Sequence, residues 1–220
     1  MSSEVDICNL ALSYIGEDAT VSSINPPEGS QQAAYCKTFY PMARDNILNR
    51  HNWTFASRRV VLAQVTNPYE QWEYAYALPS DCMKVISVMD AESKDDYSED
   101  LYRVNVNRVI AERGYYTPQP FTIELDTVGN KVLYTNQEDA QMRYQAFVTD
   151  PTKFSPLFVM VLSYQMASML AGPVIKGKQG ASTSMNMLQL SQQYLSEAIE
   201  NDANQDNSDI DQLTPWIVGR

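Results

Sequence analysis

From Tyr35 to Arg59 the chain reads YCKTFYPMARDNILNRHNWTFASRR, and the fold turns on how this stretch changes its period. Cys36, Phe39, Tyr40, Ala43, Ile47 and Leu48 recur at steps of three and four, so they share one face of an amphipathic helix. Pro41 removes a backbone donor from that helix and crowds the preceding turn, which predicts a kink or a restart. From His51 to Phe55 the pattern switches to alternation, with Trp53 and Phe55 on one side. A helix that delivers a Trp and a Phe directly into an extended segment is a hinge between two layers. Each ring removes about 150–250 Å² from water, an upper bound of roughly 4–6 kcal/mol apiece.

Upstream, Glu4 to Ile15 reads as a first helix, opened by a capping box of Ser3 with Asp6 and closed by Gly16. Ile7, Leu10, Ala11, Tyr14 and Ile15 form its expected buried stripe. Glu17 to Ser30 is a loop broken by Asn25-Pro26-Pro27 and Gly29. Downstream, from about Arg58 to Asp150, the period is two. Strands are expected at Val60–Val65, Glu73–Ala77, Lys84–Met89, Leu101–Val106, Arg108–Ala111, Phe121–Asp126, Lys131–Tyr134 and Gln141–Val148. Gly129-Asn130 is a hairpin signal, and Asp90 to Asp100 is a solvated acidic loop.

Helical periodicity returns at Ser155-Pro156, a cap followed by Pro at the first helical position. Leu157 to Ala171 is apolar on nearly every side, so it is the expected central helix, with Gly172-Pro173 as its stop. As a 15-residue helix it falls short of the ~30 Å hydrocarbon core, and Ser163, Gln165 and Ser168 also argue against a membrane span. Val174 to Thr183 reads as a Gly-rich loop. A last helix follows from about Ser184 to Asn204, with Met187, Leu188, Leu190, Gln193, Tyr194, Leu195, Ala198 and Ile199 on its apolar face. From Asp202 to Gln212 the composition is that of a flexible polar linker. It ends in an apolar tip, Leu213, Pro215, Trp216, Ile217 and Val218. Such a tip either tucks back onto its own domain or docks on a neighbour, and the length of the tether favours docking. The expected class is therefore α+β: an antiparallel helical bundle from residues 1–57 and 151–205, an inserted antiparallel β-domain at 58–150, and an extended tail at 206–220.

Composition narrows function. Sixteen Lys and Arg stand against 27 Asp and Glu, a net charge of -11. Such a chain does not wrap nucleic acid by neutralising phosphates, and it binds anionic membranes poorly. Cys8, Cys36 and Cys82 form no CxxC pair, so neither a disulfide framework nor a zinc site is indicated. The N-terminus lacks the basic and small-residue features of a signal peptide, which points to synthesis in a reducing compartment.

Candidate chemistry is thin. Gly172 to Gln179 matches GxxxxGK but has Gln where a phosphate loop needs Ser or Thr, and a helix, not a strand, precedes it. His51 is the sole histidine, so any triad would have to use it, and no GxSxG elbow supplies a serine. A His beside a Trp is more often a capping or packing group. Glu112, Glu124, Asp126, Glu138 and Asp139 offer carboxylates for glycan hydrolysis, whose geometry sequence does not fix. No HExxH or DxDxDG spacing indicates a metal.

Three segments nevertheless share a pattern. Ile7-Cys8-Asn9-Leu10-Ala11-Leu12 precedes Ile15-Gly16. Ala43-Arg44-Asp45 precedes Leu48, His51, Trp53, Phe55 and Ala56. Trp72 precedes Tyr74-Ala75-Tyr76-Ala77-Leu78-Pro79 and Asp81-Cys82. Together these resemble the tail tubular protein A family, head-to-tail adaptors of short-tailed bacteriophages. Pro41 and Asn52, where the family often has Pro, are departures. The resemblance implies a virion protein forming a ring of twelve copies, seated beneath the portal protein and above the tail nozzle protein. Viral DNA would pass through the lumen without specific binding, and no membrane would be involved. The tail residues Leu213, Pro215, Trp216, Ile217 and Val218 would contact portal or a neighbouring subunit. No catalytic, metal-binding or cofactor-binding residue is implied. The alternative is a virion-associated glycan hydrolase using a carboxylate pair.

Overall fold

The computed structural model describes residues 2–89, 119–126 and 128–205. The strands expected at 101–106 and 108–111, the acidic loop at 90–100, Glu112 and the tail residues Leu213, Pro215, Trp216, Ile217 and Val218 lie outside the described residues. The fold is α+β, with helices from both ends of the chain flanking antiparallel sheets. It divides into two compact units, one of Met1–Ala56 with Phe147–Gln205 and one of Ser57–Ala146.

The helical unit begins with α1, Glu4–Tyr14, whose capping box is formed: Ser3 accepts from the Asp6 amide, and Asp6 accepts from the Ser3 amide. Gly16 ends it at φ +79, a conformation other residues adopt only under strain. Its inward residues are Ile7, Cys8, Ala11 and Leu12, so the buried stripe is turned from the expected one toward Cys8 and Leu12. The Asn9 side chain pins the following loop by bonding both polar backbone groups of Val21, at 2.8 and 3.0 Å.

Helix α2, Gln31–Arg50, runs through Pro41 without interruption, so the expected restart does not occur. Packing of Cys36, Tyr40, Ala43, Ile47 and Leu48 on its buried face outweighs one missing backbone bond. Helix α3, Pro156–Ile175, starts at the expected Ser155 cap, which accepts from the Phe158 amide. It does not stop at Gly172-Pro173 but continues to Ile175. One residue later, Gly177–Ala203 forms α4, so the expected Gly-rich loop is helix. Lys176 makes the reversal at φ 61. Gly180 explains the tightness of this hairpin: a Cβ there would sit 2.8 Å from the carbonyl oxygen of Ala171. Its hydrogen lets α4 lie against α3.

Helix α3 is central, packed on α1, α2 and α4. At 20 residues it is long and apolar enough to cross a membrane by length and composition, contrary to the shorter helix expected. Much of it is instead buried among its neighbours, and its polar groups are matched there. Ser163 bonds the Val159 carbonyl, and Ser191 of α4 bonds the Val161 carbonyl and the Gln165 side chain.

In the β unit the first expected strand is split. β1, Ser57–Val61, and β2, Ala63–Val65, belong to different sheets, and buried Leu62 turns the corner while its amide donates to Ala140. The remaining strands are β3 Tyr74–Ala77, β4 Cys82–Met89, β5 Phe121–Leu125, β6 Lys131–Thr135 and β7 Gln141–Ala146. They form two antiparallel sheets, ordered β1-β7-β4 and β2-β3-β6-β5. Alternation sorts the second sheet's faces. Tyr76 and Leu133 join Val88, Met142 and Tyr144 in the core shared by both sheets, while Ala75, Val132 and Tyr134 turn the other way to meet Trp72. The β5–β6 connection is built on Asp126 more than on Gly129-Asn130 alone. Its carboxylate accepts from the amides of Val128 and Asn130 and from the Asn130 side chain, and Gly129 sits at φ +95.

Candidate functional site

Helix α2 ends at Arg50, leaving its last carbonyls without helical partners. The buried Trp53 indole supplies one, donating from Nε1 to the Ile47 carbonyl at 3.1 Å. Its ring then packs edge-on against Phe158 at 5.0 Å, and Phe55 meets Phe154 and Phe158 at 5.8 and 5.1 Å. Trp53 and Phe55 stack on each other, as their alternation predicts. The extended segment is short, however, because Thr54–Ala56 closes into a 3-10 turn.

The centre of this junction is a residue the sequence hides. Asp202, expected where the last helix runs into a polar linker, lies in the last turn of α4 and is 4% exposed. Its Oδ2 accepts from the Thr54 amide at 3.0 Å and from His51 Nε2 at 3.1 Å, and its Oδ1 accepts from Thr54 Oγ1 at 2.7 Å. A helix C-terminus disfavours an anion, and burial disfavours it further. These donors are what hold it there.

His51, Thr54 and Asp202 are the residue types of a nucleophilic relay, but the order is wrong. Such a relay needs imidazole between hydroxyl and carboxylate. Here the carboxylate stands between the other two, and both bond to it. The arrangement clamps the residues after α2 onto the end of α4.

The other singled-out residues are held similarly. Arg44 is buried on α2, its Nε donates to Asp45 at 2.8 Å, and its guanidinium carbon lies 4.9 Å from the Phe147 ring and 5.8 Å from Tyr40. In the β unit, Tyr76 donates its hydroxyl proton to the Gln137 carbonyl and accepts from the Ala140 amide. Asp81 receives Arg58 at 2.6 Å and the Tyr144 hydroxyl at 3.1 Å.

A separate open cleft of about 770 Å³ lies within the β unit, lined among others by Tyr69, Pro79, Lys131 and Tyr134. Asp126 is the one carboxylate among its described lining residues, and backbone bonds hold that group well below the ordinary aspartate range while fixing its turn. Glu124 is exposed on β5, and Glu138 and Asp139 precede β7. None of these three lines the cleft. The GxxxxGK near-match spans the end of α3 and the start of α4, with Lys178 exposed in the first turn of α4. Among the described residues no cluster of three or more His, Cys, Asp and Glu side chains could hold a metal ion.

Asp202 carries one readable signal. It lies four residues after Ala198 and eleven after Ser191, on the same inward line of α4. The chain matches no protein-family model, and no curated protein matches it significantly.

Proposed function

We propose that this chain is a structural adaptor of a bacteriophage virion, a member of the tail tubular protein A family that joins the portal protein to the tail nozzle protein. Twelve copies form a ring, and viral DNA crosses its lumen without specific binding. The protein catalyses no reaction and holds no cofactor.

The observation that carries this reading is the use made of the three family-like segments. Asn9, Arg44, His51, Trp53, Tyr76 and Asp81 each bond or stack within their own unit. Residues of that kind preserve a shape, which is what an adaptor offers to its neighbours. The net charge of -11 also supports it, since a negative channel wall does not retain phosphates. The tail residues Leu213, Pro215, Trp216, Ile217 and Val218 provide the contact to portal or to a neighbouring copy.

Mixing the purified chain with portal rings and measuring mass by light scattering tests the proposal. Twelve copies of 24.9 kDa add about 300 kDa to each portal ring. A portal that gains no mass at micromolar chain would overturn it.

A further inference from the structure

The open cleft of the β unit has a braced wall. Between β2 and β3 the Asn67 side chain donates to the Trp72 carbonyl and accepts from the Tyr69 amide. The loop so held presents Tyr69, which is half exposed and stands edge-on to the Tyr134 ring at 5.4 Å. Val65, Pro68 and Pro79 continue an apolar lining. The charged residues among the described lining are Asp126 and Lys131, opposite in sign and close together, since Lys131 pairs with Leu125. The cleft is therefore near neutral in a chain of net charge -11. It opens beside β2, whose three residues are exposed and which among the described residues is bonded to β3 alone. A concave apolar surface with aromatic and proline walls, next to a free strand edge, accepts a short extended apolar segment.

The sequence supplies such a segment. Leu213-Thr214-Pro215-Trp216-Ile217-Val218 carries no charge, although Asp206, Asp209 and Asp211 precede it. Pro215 favours an extended backbone at low entropic cost. Trp216 is the kind of side chain that anchors a contact by filling a pocket, and β-branched Ile217 and Val218 suit a strand edge. Residues 206–212 tether this tip to the described helical unit, and seven residues span up to about 25 Å when extended. We propose that the cleft receives the Leu213–Val218 segment of a neighbouring copy, with Trp216 against Tyr69, so that each copy clasps the next. The proposal rests on the adaptor reading, in which copies meet in a ring, and names the surface they share. Every copy offers one tip and one cleft, which is a head-to-tail contact that propagates until it closes.

Two full-length variants test this with no portal present. Trp216→Asp spoils the tip and keeps the cleft, whereas Tyr69→Asp spoils the cleft and keeps the tip. Tyr69 is half exposed, so its substitution leaves the β unit folded, and Val65→Lys at the exposed end of β2 is a second cleft variant should it not. In sedimentation at micromolar concentration the unsubstituted chain associates, and each variant alone stays at 24.9 kDa. Mixed in equal amounts, the two variants join as two chains of 24.9 kDa, a pair of about 50 kDa and nothing larger, because one intact tip and one intact cleft remain between them. Carrying Tyr69→Asp in both partners weakens the pairing by about tenfold or more. A mixture that stays monomeric, a Trp216→Asp chain that associates as the unsubstituted chain does, or a pair indifferent to Tyr69→Asp would overturn the proposal. Loss of portal uptake in Tyr69→Asp with no pairing between copies would also overturn it and give the cleft to the portal. Failure of the adaptor reading shows separately, as a portal that gains no mass from the unsubstituted chain.

Discussion

Replacing Asp202 with alanine should damage the helical unit far more than its position near the end of α4 suggests. The substitution strips the acceptor from the Thr54 amide, the Thr54 hydroxyl and His51 Nε2. A charged acceptor is worth about 1.5–3 kcal/mol per hydrogen bond, and breaking a fully buried pair about 3–5 kcal/mol. The Asp202 side chain is 5% exposed and that of His51 is 23% exposed, so water reaches part of the cluster and lowers the total. We expect a loss of about 2–4 kcal/mol, which at a urea slope of about 2 kcal/mol/M moves the midpoint down by about 1–2 M. Helices α1 to α4 all belong to one unit, so the helical circular dichroism signal reports it. His51→Ala should cost about 1–2 kcal/mol, because Thr54 still holds the carboxylate. The double variant should cost less than the sum, by about 1 kcal/mol or more. Glu197→Ala, on the exposed side of the same helix, should stay within about 0.5 kcal/mol. A loss in Asp202→Ala no larger than that of Glu197→Ala would refute the clamp.

The α3–α4 hairpin gives a pair of opposite outcomes. Gly180→Ala should destabilise by about 1–3 kcal/mol, overpacking against the Ala171 carbonyl outweighing the ~1 kcal/mol gain in helix propensity, whereas Gly172→Ala meets nothing within 4 Å and should stabilise by about 0.5–1 kcal/mol, both read by thermal unfolding. The folded Asp126 carboxyl is held below its unfolded value by its bonds to the turn, so its contribution is present above the unfolded pKa and fades as pH falls through the folded one. Asp126→Asn should therefore flatten the acid limb of the β unit's stability curve, followed by amide exchange of β5 and β6. Truncation after Asn207 should leave the helical signal intact yet weaken portal binding, with Trp216→Ala costing about 2 kcal/mol or more in a binding isotherm if the ring fills a pocket. Glycan hydrolysis by a carboxylate pair predicts reducing-sugar release abolished by Glu124→Ala with Asp126→Ala. We expect no release from the unsubstituted chain.

What the sequence conveyed well was local. The Ser3–Asp6 box and the Ser155-Pro156 start depend on neighbours a few residues apart, and each is formed. Its failures were tertiary. Gly172-Pro173 is a strong punctuation signal, but α3 is buried on several sides, and Pro173 lies in its last turns, where the missing donor matters little. Gly180 reads as flexibility and is instead a point of close helix contact. Nothing in the alternation of Val60–Val65 distinguishes Leu62 as a corner, so its division between two sheets is not legible. The burial of Asp202, not its place in the last helix, is what the sequence conceals most. An aspartate among asparagines, glutamates and a glutamine resembles a solvated end, and only its register with Ser191 and Ala198 says that it faces inward. The residues around His51 were legible as packing groups, but their partner 151 residues away was not.

The central claim is that these side chains maintain a shape for assembly. Negative-stain imaging of the chain bound to its portal measures that directly. The account predicts a second ring, twelve-fold in class averages, stacked on one face of the portal with a continuous axial channel. Portal particles that stay bare at saturating chain, or that acquire copies scattered without rotational symmetry, would contradict it.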